Sequence, residues 1–153
     1  MHYLPIIITA IIVALSILTI VIVRRFFSQT ITFSPDDMEG LEFEEYCASI
    51  LCDNGFYDIE VTKGSGDFGV DILATKDMVT YAIQCKVYSS PVGIKAVQEA
   101  YSGRDYYDRM VGAVLTNQYF TRSALDAASK LKILLWDRDY LTMLIDNAEH
   151  DSR

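Results

Sequence analysis

VDILATKDMVTYAIQCKV, residues 70–87, is the stretch on which the fold turns. β-branched and aromatic residues dominate it, and its apolar and polar positions alternate, the pattern of half-buried strands. Val70 to Thr75 predicts one strand and Val79 to Val87 the next, with Lys76-Asp77 as a tight turn between them. Strands joined by so short a turn pair antiparallel. In the later strand Val79, Tyr81, Ile83, Cys85 and Val87 share one face, and Thr80, Ala82, Gln84 and Lys86 share the other. In the earlier strand Val70 and Ile72 are expected on the core side, with Asp71 on the opposite side. A favourable register then places Asp71 on the face that carries Gln84 and Lys86. An exposed sheet face explains an amide and an ammonium two residues apart; so does a site.

Working outward, Ser34-Pro35-Asp36-Asp37 predicts a helix start: a Ser cap, Pro at the first helical position and acids in the first turn. The helix is expected to run to about Asn54, ended by Gly55. Phe43, Tyr46, Cys47, Ile50 and Leu51 form its apolar stripe, with Glu44 on the border and Glu45 on the solvated side. Tyr57 to Lys63 predicts a first strand, and Gly64-Ser65-Gly66-Asp67-Phe68-Gly69 a turn, in which Asp67 has a structural role. These glycines join two strands and open no helix, so a nucleotide-binding loop is a weak reading. After Pro91 and Gly93 come a helix from Ile94 to about Tyr107, a strand Val111 to Thr116 and a helix capped by Thr121 through Lys132. A strand Ile133 to Trp136 and a short helix Asp137 to Asp146 close the pattern. The order αβββαβαβα predicts an α/β domain with a mixed central sheet flanked by helices, its first three strands an antiparallel meander.

The N-terminal segment differs from the rest. Leu4 to Val23 contains no charged residue and reaches the ~20 apolar residues that a membrane-spanning helix needs. Its length, the missing basic start and the exit Val-Arg-Arg-Phe-Phe favour a retained anchor over a cleaved signal peptide. Arg24 and Arg25 follow the span, so a single-pass helix is expected to hold its N-terminus outside and the remainder in the cytoplasm, at the inner (plasma) membrane. The expected organisation is an anchor at 1–27, a linker at 28–35, a domain at 36–147 and a tail at 148–153. Cys47, Cys52 and Cys85 fit a reducing compartment as thiols. His2 and His150 stand at the two ends, which makes His-based catalysis improbable, and no zinc-type spacing occurs. Beyond Arg25 the chain has 21 acidic and 11 basic residues, a formal charge of −10, which opposes nonspecific adhesion to nucleic acid.

Asp71, Gln84 and Lys86, with Glu44 approaching from the first helix, make a candidate cluster of two carboxylates, an amide and a lysine. Such a set suits metal-assisted phosphodiester cleavage. A cation of the Mg²⁺ type takes hard oxygen ligands. Asp71, the Gln84 carbonyl oxygen, the backbone carbonyl of Cys85 and Glu44 are candidate metal donors, and Lys86 can orient water and stabilise charge on phosphate. The cation also brings positive charge that the net charge does not report.

From Asp36 to Asp146 the chain resembles the Mrr-like restriction endonuclease domain of the PD-(D/E)xK nuclease superfamily. The resemblance lies in Phe43-Glu44-Glu45, Gly64 to Ile72 (GSGDFGVDI) and Gln84-Cys85-Lys86, in the family's order. It implies a restriction-endonuclease-like fold and catalytic roles for Glu44, Asp71, Gln84 and Lys86. It further implies a DNA substrate, dependence on Mg²⁺ with Mn²⁺ as a substitute, and a prokaryotic setting in restriction of foreign DNA or DNA processing. The phenylalanine and Gly69 stand where a second glycine is usual, and a membrane span stands where a DNA-reading domain often does. Double-strand cutting usually takes two active sites, which is consistent with a homodimer.

Lys63, Lys76, Lys95 and Arg104 are candidate phosphate contacts, each with a solvated side chain as the alternative. Tyr101, Tyr106 and Tyr107 read as packing rather than as a base-stacking platform. The rival to an endonuclease is a catalytically inactive, membrane-tethered interaction or DNA-binding module with the same fold. A junction- or end-processing nuclease is a third reading.

Overall fold

The computed structural model describes residues 34–62 and 68–151. The anchor expected at 1–27, the linker up to residue 33, Lys63, the turn residues 64–67 and residues 152 and 153 lie outside the described residues. Among the described residues no helix is long and apolar enough to cross a membrane.

The elements are α1 (Gly40–Asp53), β1 (Tyr57–Val61), β2 (Ile72–Lys76), β3 (Val79–Lys86), α2 (Ile94–Tyr106), β4 (Val111–Thr116), α3 (Arg122–Leu131), β5 (Ile133–Trp136) and α4 (Arg138–Asp151), in the order expected. The described strands form one mixed sheet, β1-β2-β3-β4-β5. β1, β2 and β3 are antiparallel neighbours, while β4 and β5 add parallel. The β2–β3 turn falls on Asp77 and Met78, one residue later than expected, with both φ angles positive. Two left-handed residues give a two-residue loop the twist that matches its strands.

Alternation assigns the two sheet faces. Ile72, Ala74, Ile83, Cys85, Ala113 and Leu115 pack with the α1 residues Phe43, Cys47, Ile50 and Leu51 and the α4 residues Leu141 and Leu144. On the other face Val114 packs with Ala96, Val97 and Ala100 of α2 and Ala124 and Ala128 of α3. The predicted stripe of α1 is therefore its core face, with Tyr46 partly buried at its edge. Gly103 of α2 lies against the segment that precedes β2, where a Cβ would stand 2.1 Å from Val70 Cγ2.

The structure corrects three expectations. Ser34 caps only a 3-10 turn, Pro35–Asp37, and the chain runs extended through Met38 before α1 starts at Gly40. Asp36 accepts hydrogen bonds from Asn117 and Arg138, which holds the turn off the helix axis, and Met38 is buried in the core. Val70 and Ile72 do not share a side: Ile72 joins the α1 face, and Val70 packs with Leu73 and Ala82. Asp71 forms a bend before β2 rather than lying inside it, so the period of two does not extend back to Val70. The last helix continues to Asp151, and Asn54 at the α1 end accepts from Asn147 and donates to Leu144 along it.

Candidate active site

The β2–β3 ladder pairs Ile72 with Ile83, so the next residues, Asp71 and Gln84, stand opposite one another. The Asp71 N–H donates to the Ile83 carbonyl at 2.9 Å. One step on, the ladder ends, and the Asp71 side chain replaces it. Its Oδ2 accepts from the Cys85 backbone N–H at 2.6 Å and from Gln84 Nε2. Gln84 Nε2 also lies 3.3 Å from the Cys85 carbonyl. Asp71 is 7% exposed and Gln84 2%, so these are interior bonds, and a charged acceptor makes them stronger than neutral ones. Of the expected cluster of Glu44, Asp71, Gln84 and Lys86, these bonds join Asp71 and Gln84, with the Cys85 main chain.

Lys86 lies on the Gln84 face and reaches α2, where its Nζ is 3.2 Å from Glu99 Oε2. Glu44 is half-buried on α1, the helix of the opposite face, and Glu45 is exposed, as the stripe predicted. Glu44 and Asp71 both act on the Cys85 thiol. A hydrogen bond with Cys47 first, then burial, then the charges of Cys47, Asp71 and Glu44 push that thiol well up. For a hard cation the donor Cys85 offers is its carbonyl oxygen, since such ions take oxygen rather than sulfur ligands.

The donor chemistry fits a hard divalent cation. Among the described residues no three His, Cys, Asp or Glu side chains gather as a metal cluster. What gathers instead is the Asp71 carboxylate and the Cys85 main-chain carbonyl around the Gln84 amide, whose Nε2 meets both. Gln84 Oε1 is buried with no hydrogen-bond partner. A buried orphan acceptor is costly, and a cation bound by oxygen ligands satisfies it.

The peripheral candidates separate. Lys95 joins the site margin, its Nζ 3.6 Å from Glu99 Oε1. Lys76 does not: at the far end of β2, five residues from Asp71 and roughly 16 Å at strand spacing, it donates to the Asn54 carbonyl and lies over the Phe56 ring. Arg104 donates to Leu131 O and pairs with Asp105. Tyr106 stacks on Phe68 at 3.7 Å and meets Tyr107 edge-on, and Tyr101 lies under Arg104, which is packing. Two residues near the site were not singled out from the sequence. Glu99 borders the α2 stripe as Glu44 borders that of α1, and this was the available signal. Asn117 bonds both Tyr88 N and Tyr88 O and so fixes the segment after Lys86; a lone Asn after a strand gives no such signal.

A restriction endonuclease family model, Mrr_cat, matches residues 35–145. No curated protein matches the chain. Among solved structures it is similar to AF1548, a protein of unknown function, with 23% identity and a TM-score of 0.50 over 63% of this chain and 57% of that one. It is also similar to the DNA modification-dependent restriction endonuclease AspBHI, with 19% identity and a TM-score of 0.52 over 70% of this chain and 31% of that one. The chain therefore spans little more than half of the first of these structures and about a third of the second, and at such identities the likeness is one of fold. The family match covers most of the chain and includes Glu44, Asp71, Gln84 and Lys86, and on that ground the protein belongs to the Mrr_cat restriction endonuclease family.

Proposed function

We propose that this protein is a membrane-anchored, Mg²⁺-dependent DNA endonuclease that hydrolyses phosphodiester bonds, in restriction of foreign DNA or in DNA processing. The observation that carries the reading is the meeting of the Asp71 carboxylate, the Gln84 amide and the Cys85 main chain at the end of the β2–β3 ladder. Membership of a restriction endonuclease family supplies DNA as the substrate class.

Asp71, the Cys85 carbonyl and Gln84, through Oε1 once its amide is turned, would hold the cation, and Glu44 would hold it or its waters. The chemistry that Mg²⁺, or Mn²⁺ in its place, would supply when bound is positive charge for the phosphate and a more acidic water. Lys86 donates to the attacking water or to a phosphate oxygen. The water oxygen bonds to phosphorus and the P–O bond to one sugar breaks. Lys86 stabilises the charge that develops, the water proton passes to solvent, and the leaving alkoxide takes a proton from solvent.

Residues 4–23 tether the enzyme to the inner (plasma) membrane with the nuclease domain in the cytoplasm, which confines cutting to DNA close to the bilayer. Fractionation tests the tether, and a native protein found wholly in the soluble fraction refutes it. The chemistry is tested by incubating the full chain with plasmid and short duplexes in Mg²⁺, Mn²⁺ or EDTA, alongside Asp71→Ala and Lys86→Ala. Metal-dependent cutting that both substitutions abolish is expected; cutting that survives both belongs to a contaminant. Linear product without a nicked precursor marks two sites acting together in a homodimer. A second reading, an inactive tethered module, draws on the formal charge of −10 after Arg25. DNA binding or partner capture without cutting under any metal favours it.

A further inference from the structure

We infer that Glu99 is a positioning residue for Lys86, built into the site by Gly69. The inference rests on the nuclease reading and adds a residue to it. Lys86 and Glu99 side chains are 22% and 27% exposed, so their 3.2 Å pair is partly shielded from solvent. The Lys95 contact with the same carboxylate is longer, at 3.6 Å, and Lys95 is 87% exposed, which leaves it weak and screened. Glu99 thus gives one oxygen to a held lysine and the other to a solvated one.

Gly69 sets the root of Glu99. A Cβ at Gly69 would stand 2.6 Å from Glu99 Cβ and 3.0 Å from its Cα, and Gly69 has φ +77. Only glycine permits both the left-handed backbone and that approach. Two residues later the same segment supplies Asp71. Glu99 therefore touches the Asp71 segment with its stem and the β3 lysine with its head. A cleft of about 80 Å³ opens beside the pair, lined by Lys86, Tyr88, Gly93, Lys95 and Glu99 among others. That volume admits water or a phosphate oxygen. The Lys86–Glu99 contact is an ion pair in which Glu99 Oε2 accepts no hydrogen bond, so it sets where the ammonium sits and leaves the three lysine donors to the cleft.

The test compares the full-length protein with Glu99→Gln and Glu99→Asp by two measurements. The first is amine labelling at fixed pH, read per lysine by peptide mass spectrometry. Labelling of Lys86 is expected to rise about fivefold in Glu99→Gln, the scale of losing one partly shielded ion pair, while Lys95, already exposed, changes little. The second is Mg²⁺-dependent cleavage. A fall in kcat of about tenfold at nearly constant KM is expected, as for groups that orient a primary ligand, with partial recovery in Glu99→Asp. Unchanged Lys86 labelling overturns the inference whatever the cleavage shows, and so does released Lys86 with unchanged kcat. A wild-type protein that cuts nothing refutes the nuclease reading instead, and labelling still decides whether Glu99 holds Lys86.

Discussion

Replacing Asp71 tests structure and chemistry together, and the two replacements Ala and Asn separate them. The Asp71 carboxylate accepts from Cys85 N and Gln84 Nε2, both in the interior. In Asp71→Ala, Gln84 Nε2 keeps the Cys85 carbonyl at 3.3 Å. The Cys85 N–H loses its acceptor. An orphaned buried donor costs roughly 1–3 kcal/mol, and removing a buried carboxylate returns part of that. The net loss is about 2 kcal/mol, a Tm lower by roughly 8–10 °C for a domain of this size. Asp71→Asn keeps an acceptor for Cys85 N–H and lacks the charge, so it is expected to stay within ~1 kcal/mol of wild type. Both variants are expected to lose metal-dependent cleavage. Urea unfolding in EDTA, followed by the fluorescence of the single, buried Trp136, measures the stability difference. Equal stabilities for Asp71→Ala and wild type, or a loss in Asp71→Asn as large as in Asp71→Ala, would refute the role of this side chain as the end of the ladder.

Three further outcomes follow from other parts of the fold. Hydrogen bonds from Arg138 and then Asn117 hold the Asp36 carboxyl below its ordinary value, so its contribution to stability is full above the ordinary aspartate range and is lost as pH falls through the lower folded value; Asp36→Asn should flatten the acid limb of a stability–pH curve, and an unchanged limb counts against the link. Gly103→Ala drives a methyl into Val70 and toward the Phe68 carbonyl, an overpacking cost of about 1–3 kcal/mol, and thermal melts should show it with reduced cleavage. Of the three cysteines only Cys52 is exposed, so a thiol reagent should react with one equivalent in the native protein and three in denaturant; rapid modification of Cys47 or Cys85 contradicts their burial.

Much of this was legible in the chain. Strand and helix order followed from periods of two and 3.6, because burial on one face imposes those periods wherever an element is regular. Gln84 and Lys86 sharing a face needed only alternation, and Glu44 against Glu45 needed only the helical wheel. Where regularity breaks, pattern reading fails. Asp71 sits at a bend, so the expected shared side of Val70 and Ile72 was wrong even though the meeting of Asp71 with Gln84 was right.

The sequence by itself determined the element order, the faces of β3 and α1, and the family to which the chain belongs, since these depend on local periodicity and on motifs that are contiguous. Only the tertiary structure decided where α1 begins, that the Asp71 carboxylate caps the ladder, and that Glu99 meets Lys86. Asp36 binds Arg138 at 102 residues' separation, and Glu99 reaches Lys86 from another element. Such contacts depend on how whole elements pack, and no local period encodes them.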